Sequence, residues 1–470
     1  MRARLVCRKL LAVAAAVALA GCALKPPPTT DELRRDALPH TNVPPTWKAP
    51  GGAAAPVADR WLASFDDPAL SALVVEALMY NADLQAAAAR VEQASGYVAV
   101  ASGSIYPSVG LAATQSGKAG GGGGLNAVFL NASLELDVWG RLRYGEAAAE
   151  SQSAAVQADY AYARQSLAAT VAKAWFVAIE AGLQRAIVID SLHSSESLTN
   201  LAQDRLRIGN GNEQAVAEAR ANVGSYRDML RQVELAREQA LRALELLLGR
   251  YPAAEIAVAQ QLAPMPPAVS VGVPSELLER RPDVVAAERR VAAAFNRIGE
   301  AKAALLPRIS LTAGGSNISS DVFLLQDRSN PAFSFGANLL APIYQGGALR
   351  AQVDVRTAEQ KEAVAYYART AQRSFAEVEN ALAAENVLRD RDAILGANII
   401  DNTRVLELVQ IQHRVGTVDL RAVGQSQLVL YTARMSLLRV QTERRAQRVN
   451  LYLALGGGFD LPVMAPVAVQ

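Results

Sequence analysis

The chain has 470 residues, 51% of them hydrophobic and 20% charged, which is sequence enough for two or three domains and far too apolar for a disordered polymer. Lysine and arginine number 47 against 45 acids, a formal net charge of +2, so the electrostatic basis for binding nucleic acid is missing. Three separated histidines (His40, His193, His413) and two cysteines (Cys7, Cys22) exclude zinc-finger, iron–sulfur and disulfide frameworks.

Arg2, Arg4, Arg8 and Lys9 precede the apolar run Leu10–Ala20. That run has the length of a signal-peptide core, since a membrane helix needs about 20 residues. It closes in Leu19-Ala20-Gly21-Cys22, and a cysteine directly after Ala-Gly resembles the bacterial lipobox, whose thiol is diacylglycerated and becomes the new N-terminus. Residues 1–21 therefore read as a lipoprotein signal peptide and Cys22 as the lipidated residue, against an ordinary signal peptide with an incidental cysteine. Losing the four early basic residues turns the net charge from +2 to −2. Ala23, rather than aspartate, favours outer-membrane sorting in the lipoprotein pattern. Lys25-Pro26-Pro27-Pro28 suits an extended tether. No other apolar run is expected to reach membrane-helix length, so any spanning element is β.

Prolines crowd residues 26–68 and 252–282, and none occurs in 108–251 or 343–461. Those proline-free stretches, rich in Ala, Leu, Arg, Gln and Glu, read as long helices. The two halves also match each other. At an offset of 200, Asp83 pairs with Asp283, Arg90-Val91 with Arg290-Val291, and Pro107 with Pro307. At an offset of 207, Gly140 pairs with Gly347, Gly209 with Gly416, and Leu248-Gly249 with Leu455-Gly456. The chain is a tandem duplication with a period far longer than a solenoid repeat.

Within each half the strands come first. Ser108–Thr114 alternates Val109, Leu111 and Ala113 with small or polar residues, and Val128–Val138 alternates Leu130, Ala132, Leu134 and Leu136 with Asn131, Ser133, Glu135 and Asp137. Ile309, Leu311 and Ala313, then Phe333, Phe335, Ala337 and Leu339, repeat the pattern. This is the dyad of an outer-membrane strand, one face to lipid and one to water, with a soluble antiparallel sheet as the alternative. Gly117–Asn126 and Asn317–Asn330 read as loops, and Tyr106, Trp139 and Tyr344 sit near strand ends where interfacial aromatics belong. Four strands cannot close a barrel, and open edges are not tolerated in lipid, so several chains must contribute. Physics permits two, three or more.

Helices follow, from about Gly140 to Leu206 and Gly347 to Arg414, each on the order of 100 Å long at ~1.5 Å per residue. Each turns back into a seam stepping by 3 and 4, Val216, Ala219, Val223, Tyr226, Leu230 and Val233 in the first half and Val423, Ser426, Leu430, Ala433, Leu437 and Val440 in the second. A 3.5-residue average forces a left-handed supercoil. Arg237 and Arg444 interrupt the seam, where their stems can snorkel to a wet surface.

Pro274-Ser275-Glu276-Leu277-Leu278-Glu279-Arg280-Arg281-Pro282-Asp283-Val284, then Ala287-Glu288-Arg289-Arg290-Val291, closely resembles the outer-membrane factor (TolC-like) family. So do Ala301-Lys302-Ala303, Leu306-Pro307-Arg308-Ile309-Ser310-Leu311, Leu136-Asp137-Val138-Trp139-Gly140-Arg141-Leu142 and Leu455-Gly456-Gly457-Gly458. With the lipobox, the resemblance points to the lipoprotein (NodT-type) branch serving resistance–nodulation–division efflux systems. It implies a mainly α fold with a membrane β-barrel: a homotrimer whose four strands per protomer build a twelve-stranded barrel, continued by a periplasmic α-barrel of coiled-coil helices. An equatorial belt would draw on residues near 45–80, 250–282 and the C-terminus. The segments are then 1–21 signal peptide, 22–80 lipidated extension and part of the equatorial domain, 81–249 first repeat, 250–282 equatorial linker, 283–456 second repeat and 457–470 equatorial tail.

The implied function is the exit duct of a tripartite pump, a passive conduit for small molecules in the outer membrane of a Gram-negative bacterium, lipid-anchored and extending into the periplasm. Its partners would be a periplasmic adaptor and an inner-membrane resistance–nodulation–division transporter. The alternatives are a type I protein-secretion duct and a non-transporting structural coiled-coil lipoprotein. Six unclustered methionines give no support for a copper-specific duct. No cofactor beyond the lipid on Cys22, no metal and no catalysis is expected, since GxxxxGK and HExxH are absent and Gly120–Gly124 lacks the strand–turn–helix context of a phosphate loop.

The turns Arg207-Ile208-Gly209-Asn210 and Arg414-Val415-Gly416-Thr417 are expected to dock the adaptor. In the family an aspartate nine residues beyond the second tip glycine lies near the narrowest constriction. Here that position is Gln425, its first-half equivalent is Glu218, and Asp419 is the nearest acid, with a helix N-terminal role as its simplest reading. His193 and His413 read as surface residues of helices. Glu279-Arg280-Arg281 reads as a structural ion-pair cluster before a helix start at Pro282-Asp283, in preference to an anion site.

Overall fold

In a computed structural model of the chain, residues 24–51, 57, 60–116, 125–320 and 332–458 are described. The expected signal peptide 1–21, the lipidation site expected at Cys22, and residues 52–56, 58–59, 117–124, 321–331 and 459–470 lie outside the described residues. In chain order the elements are α1 (Thr30–Ala37), α2 (Pro68–Tyr80), α3 (Ala82–Gly103), β1 (Ser108–Ser116), β2 (Leu125–Leu136), α4 (Arg141–Arg207) and α5 (Glu213–Leu247). Then come α6 (Leu277–Arg280), α7 (Pro282–Ala303), β3 (Arg308–Ser320), β4 (Ala332–Leu340), α8 (Ala348–Arg414) and α9 (Leu420–Ala454). The duplication recurs in these bounds: α3 and α7 stand 200 residues apart at both ends, while α4 and α8, and α5 and α9, stand 207 apart. The seven extra residues fall in the second strand hairpin.

The chain divides into two compact units, and both draw on each half of the duplication. The first gathers the chain up to Thr41, Ala89–Asp159 and Asp283–Thr370. It holds one antiparallel sheet of order β1-β2-β3-β4. Two strand ends differ from expectation. Leu125 pairs with Ser320 and Val128 with Asn317, so residues read as loop are laddered, because a backbone group paired across strands is satisfied whatever its side chain. At the other end β2 stops at Leu136, since Asp137 turns inward and accepts the backbone N–H of Leu142 and Arg143 at 3.0 Å each, capping α4. Glu135 takes Arg141 at 2.8 and 2.9 Å, pinning the strand-to-helix junction. Gly299 lets α7 approach α4: a Cβ there would meet the Tyr144 ring at 2.5 Å.

The second unit comprises Asn42–Ala88, Tyr160–Pro282 and Ala371–Gln470. Its core joins Trp61, Phe65, Leu70 and Val74 to Trp175, Phe176, Ile179, Leu244, Val378 and Val449. Trp61 stacks on Tyr452 at 5.9 Å, and the Trp175 indole N–H donates to Asp67, which also caps α2. Contrary to the sequence expectation, one window of α4 is long and apolar enough to cross a bilayer, but half of it is buried inside the protein. Its apolarity serves packing. Most of the seam is as read: Val216, Ala219, Val223, Tyr226 and Val233 are buried on α5, and Val423, Leu430, Ala433 and Val440 on α9, while Leu230, Ser426 and Leu437 are half-buried.

Candidate functional site

The register sorts the sheet into two faces. Leu111 pairs with Leu130, Leu134 with Leu311, Leu311 with Ala337, and Ala313 with Phe335, so the apolar residues of all four strands share one surface. Ser133, Ser310, Thr312, Ser334, Gly336 and Asn338 share the other, where Phe129 and Leu340 are large apolar exceptions. Every residue of β4 is exposed, Phe335 to 88%. Exposed phenylalanines on an edge strand form a surface that water does not favour. Tyr106 and Tyr344 are exposed beside the strand ends, and the Trp139 indole N–H donates to Pro307 O at 2.8 Å.

The first described residues lie at the base of this sheet. Lys25 donates its backbone N–H to the Tyr144 hydroxyl at 3.0 Å, and a Cβ on Gly140 (φ +75°) would stand 2.8 Å from Leu24. The chain after Cys22 thus starts beside the strand-to-helix junction. The α1 capping box, Thr29 with Glu32, and the Thr30 hydroxyl on Glu288 at 3.1 Å hold the following segment.

Both turns read as tips have one construction. Gly209 (φ +76°) donates to Leu206 O and Asn210 to Arg205 O; Gly416 (φ +82°) donates to His413 O and Thr417 to Gln412 O. These are paired Schellman closures, which need a left-handed residue after the helix. A Cβ at Gly209 or Gly416 would meet nothing within 4 Å, and Ile208 and Val415 are both exposed. Each turn then enters a capped helix, Asn212 accepting from Ala215 N–H at 2.7 Å and Asp419 from Ala422 N–H at 3.0 Å.

Asp419 therefore stands where its simplest reading put it. Glu218 and Gln425 both line a groove of about 540 Å³ with Asn222, Tyr226, Arg421 and Gly424. Arg421, which the sequence reading missed, donates from α9 to Glu218 on α5 at 2.5 Å, and Gln214 adds a bond at 2.9 Å. The Arg421 bond, then the Gln214 bond, hold the Glu218 carboxyl below its ordinary range. Gln425 is exposed. The missed signal was the repeat itself, because Gln214 and Arg421 occupy equivalent positions, each four residues before a candidate aperture residue.

One expectation fails here. His193 is 88% exposed at its side chain, as read, but His413 is only 6% exposed, held between Arg205 and the carbonyl of Val418. A histidine in the last turn of a long helix looks solvent-facing from periodicity alone, and the arginine that covers it lies 208 residues earlier. Arg281 bears out the ion-pair reading: 1% exposed, it reaches Glu377 at 2.7 Å and Ala454 O at 3.2 Å. Arg444 does not snorkel, since it pairs with Asp392 on α8 and its Nε is buried. Among the described residues no cluster of three metal-ligating side chains occurs.

The family model described as Outer membrane efflux protein matches residues 73–250 and 273–457. The Cation efflux system protein CusC of Escherichia coli O6:H1 is 31% identical over 467 residues, covering 96% of this chain and 99% of that protein. The Pyoverdine export outer membrane protein OpmQ of Pseudomonas aeruginosa is 30% identical over 480 residues, covering 96% and 97%. Among solved structures, the open state of the Neisseria gonorrhoeae MtrE outer membrane channel is similar with a TM-score of 0.77 and 26% identity, covering 93% of this chain and 98% of that one.

Proposed function

The chain belongs to the outer membrane efflux protein family, and from that premise we propose that it is a lipid-anchored homotrimeric exit duct docked to a periplasmic adaptor and an inner-membrane resistance–nodulation–division transporter. It is an outer-membrane efflux channel of a Gram-negative bacterium, mainly α-helical and extending into the periplasm. The observation that carries the reading is the two-faced sheet with free edges at β1 and β4. In lipid an open edge leaves backbone groups unpaired at several kcal/mol each, so the edges must meet other copies. Three protomers supply twelve strands, their apolar face to lipid and the face of Ser334, Gly336 and Asn338 to the lumen.

The duct performs no chemistry of its own. CusC and OpmQ carry different cargoes in their names at 31% and 30% identity, which supports a cargo-neutral conduit whose selection lies in the transporter. Cys22 carries the lipid, two or more acyl chains giving stable attachment where one is marginal. Leu24 and Lys25, at the base of the sheet, support an anchor beside the barrel.

Substitutions on the two faces of β4 test the proposal. Phe335→Arg puts a cation into lipid at about 2–4 kcal/mol per protomer near the midplane and is expected to abolish membrane insertion. Ser334→Arg is expected to leave the trimer intact by native mass spectrometry and to shift ion selectivity in single-channel recordings. Insertion of Phe335→Arg with failure of Ser334→Arg would invert the barrel; a wild-type mass other than three protomers would overturn the assembly.

A further inference from the structure

One buried imidazole joins the two turns. His413 Nδ1 lies 3.0 Å from Val418 O, and a carbonyl only accepts, so Nδ1 carries the hydrogen. His413 Nε2 lies 3.0 Å from Arg205 Nη1, and a guanidinium only donates, so Nε2 presents its lone pair. Arg205 Nη2 adds a bond to His413 O at 3.4 Å. The ring thus bridges the end of α4, which forms the first turn, to Val418, which closes the second. The duplicated fold does not require it, because the residue 207 positions earlier is Leu206, and the counterpart of Arg205 is Gln412.

We infer that His413 is a positioning residue that couples the two adaptor-facing turns, and that taking up a proton on Nε2 uncouples them. The inference rests on the docking role proposed above. A proton from solvent on Nε2 removes the acceptor of the Arg205 N–H and sets imidazolium against guanidinium.

On α4, Arg205 faces the ring, and Asp204 is engaged by Arg207 at 2.9 Å. On α8 the adjacent charge is Arg414, another cation. On α9, Asp419 accepts from Ala422 N–H, and Arg421 is held by Glu218 of α5. The remaining acid at the start of α5 is Glu213. Among the described residues no carboxylate bonds to the imidazole. Histidine side chains exchange their charge between roughly pH 5 and 8.

The test uses the full-length lipoprotein trimer in detergent at pH 7.5 and 5.5, with wild type, His413→Gln and His413→Leu. Glutamine supplies a donating NH2 and an accepting carbonyl without titrating, and leucine supplies neither. Hydrogen exchange of the Val415–Thr417 amides, corrected for intrinsic rates, reads the turn; affinity for a purified periplasmic adaptor of the resistance–nodulation–division class reads docking. In wild type the amides are expected to exchange about tenfold faster at pH 5.5, with adaptor affinity about tenfold weaker, following the loss of a charge-assisted hydrogen bond. His413→Gln is expected to match wild type at pH 7.5 and stay flat, and His413→Leu to behave at both pH values as wild type does at 5.5. An unresponsive wild-type turn, or the same response in His413→Gln, overturns the inference. A turn that responds as expected while adaptor affinity stays constant upholds the coupling and overturns the docking role.

Discussion

Arg448 is 5% exposed, pairs with Glu385, and donates to the carbonyls of Pro266, at 2.9 Å, and Pro267. Its neighbour Arg445 holds Ala263 O at 2.6 Å, and burial, helped by Arg444, pushes that guanidinium down to about 10. These side chains fasten the 263–267 strap to α9. A buried pair of this kind adds little over well-packed apolar residues, but removing one partner strands the other charge. Arg448→Ala is therefore expected to destabilise the protein by about 3–5 kcal/mol, and Arg448→Met with Glu385→Leu to recover most of that, read as shifts in the urea midpoint. Arg227→Ala, which breaks an exposed pair with Glu196, is expected to cost about 1 kcal/mol or less. Nothing in the sequence marks Arg448 apart from Arg444, which was read as a snorkelling interruption of the seam. Helical periodicity reports which face a residue occupies. It says nothing of a partner 63 positions away, such as Glu385.

Element ends were legible where two independent signals coincided. The long helices were read to within a residue, because glycine after the last turn and the 207-residue repeat gave the same boundary. The structure adds that Gly249 and Gly456 close α5 and α9 by the same Schellman pattern as Gly209 and Gly416 close α4 and α8. Strand ends were less legible, because Asn317 and Ser320 look like loop residues until β2 is seen beside them. The four glycines share a backbone need but differ in surroundings. Left-handed backbone costs a residue with a Cβ about 1–2 kcal/mol. At Gly249 the Cβ would also strike Tyr80 O at 2.6 Å, whereas at Gly209 it meets open space. Gly249→Ala is thus expected to lower the urea midpoint well beyond Gly209→Ala. If Gly209→Ala and Gly416→Ala also weaken adaptor binding while trimers persist, the turns are docking surfaces. Unchanged binding in both would leave them as helix caps alone.

At the scale of the assembled trimer, every residue near the threefold axis acts three times. We propose that the constriction is held by amide and packing contacts around Gln425, with weak acidic character. Three aspartates at this position would set like charges around one axis and favour multivalent cations, whereas three neutral amides can only hydrogen-bond across it. The neighbouring acids are already engaged: Asp419 accepts Ala422 N–H, and Glu218 accepts from Arg421 and Gln214. Because those bonds depress the Glu218 carboxyl, its tie to Arg421 is present above the ordinary carboxylate range and is lost only as pH falls through a still lower value. Glu218 is therefore not freed to bind cations by mild acidification. Single-channel recordings are expected to show little block of wild type by divalent or trivalent cations on the periplasmic side. Gln425→Asp is expected to create block, and that block should fade on acidification, because crowded carboxylates protonate above their usual range. Strong block in wild type that disappears with Asp419→Asn would move the acidic ring to Asp419. Block that disappears with Glu218→Gln would show that the Arg421 tie opens in the assembled duct.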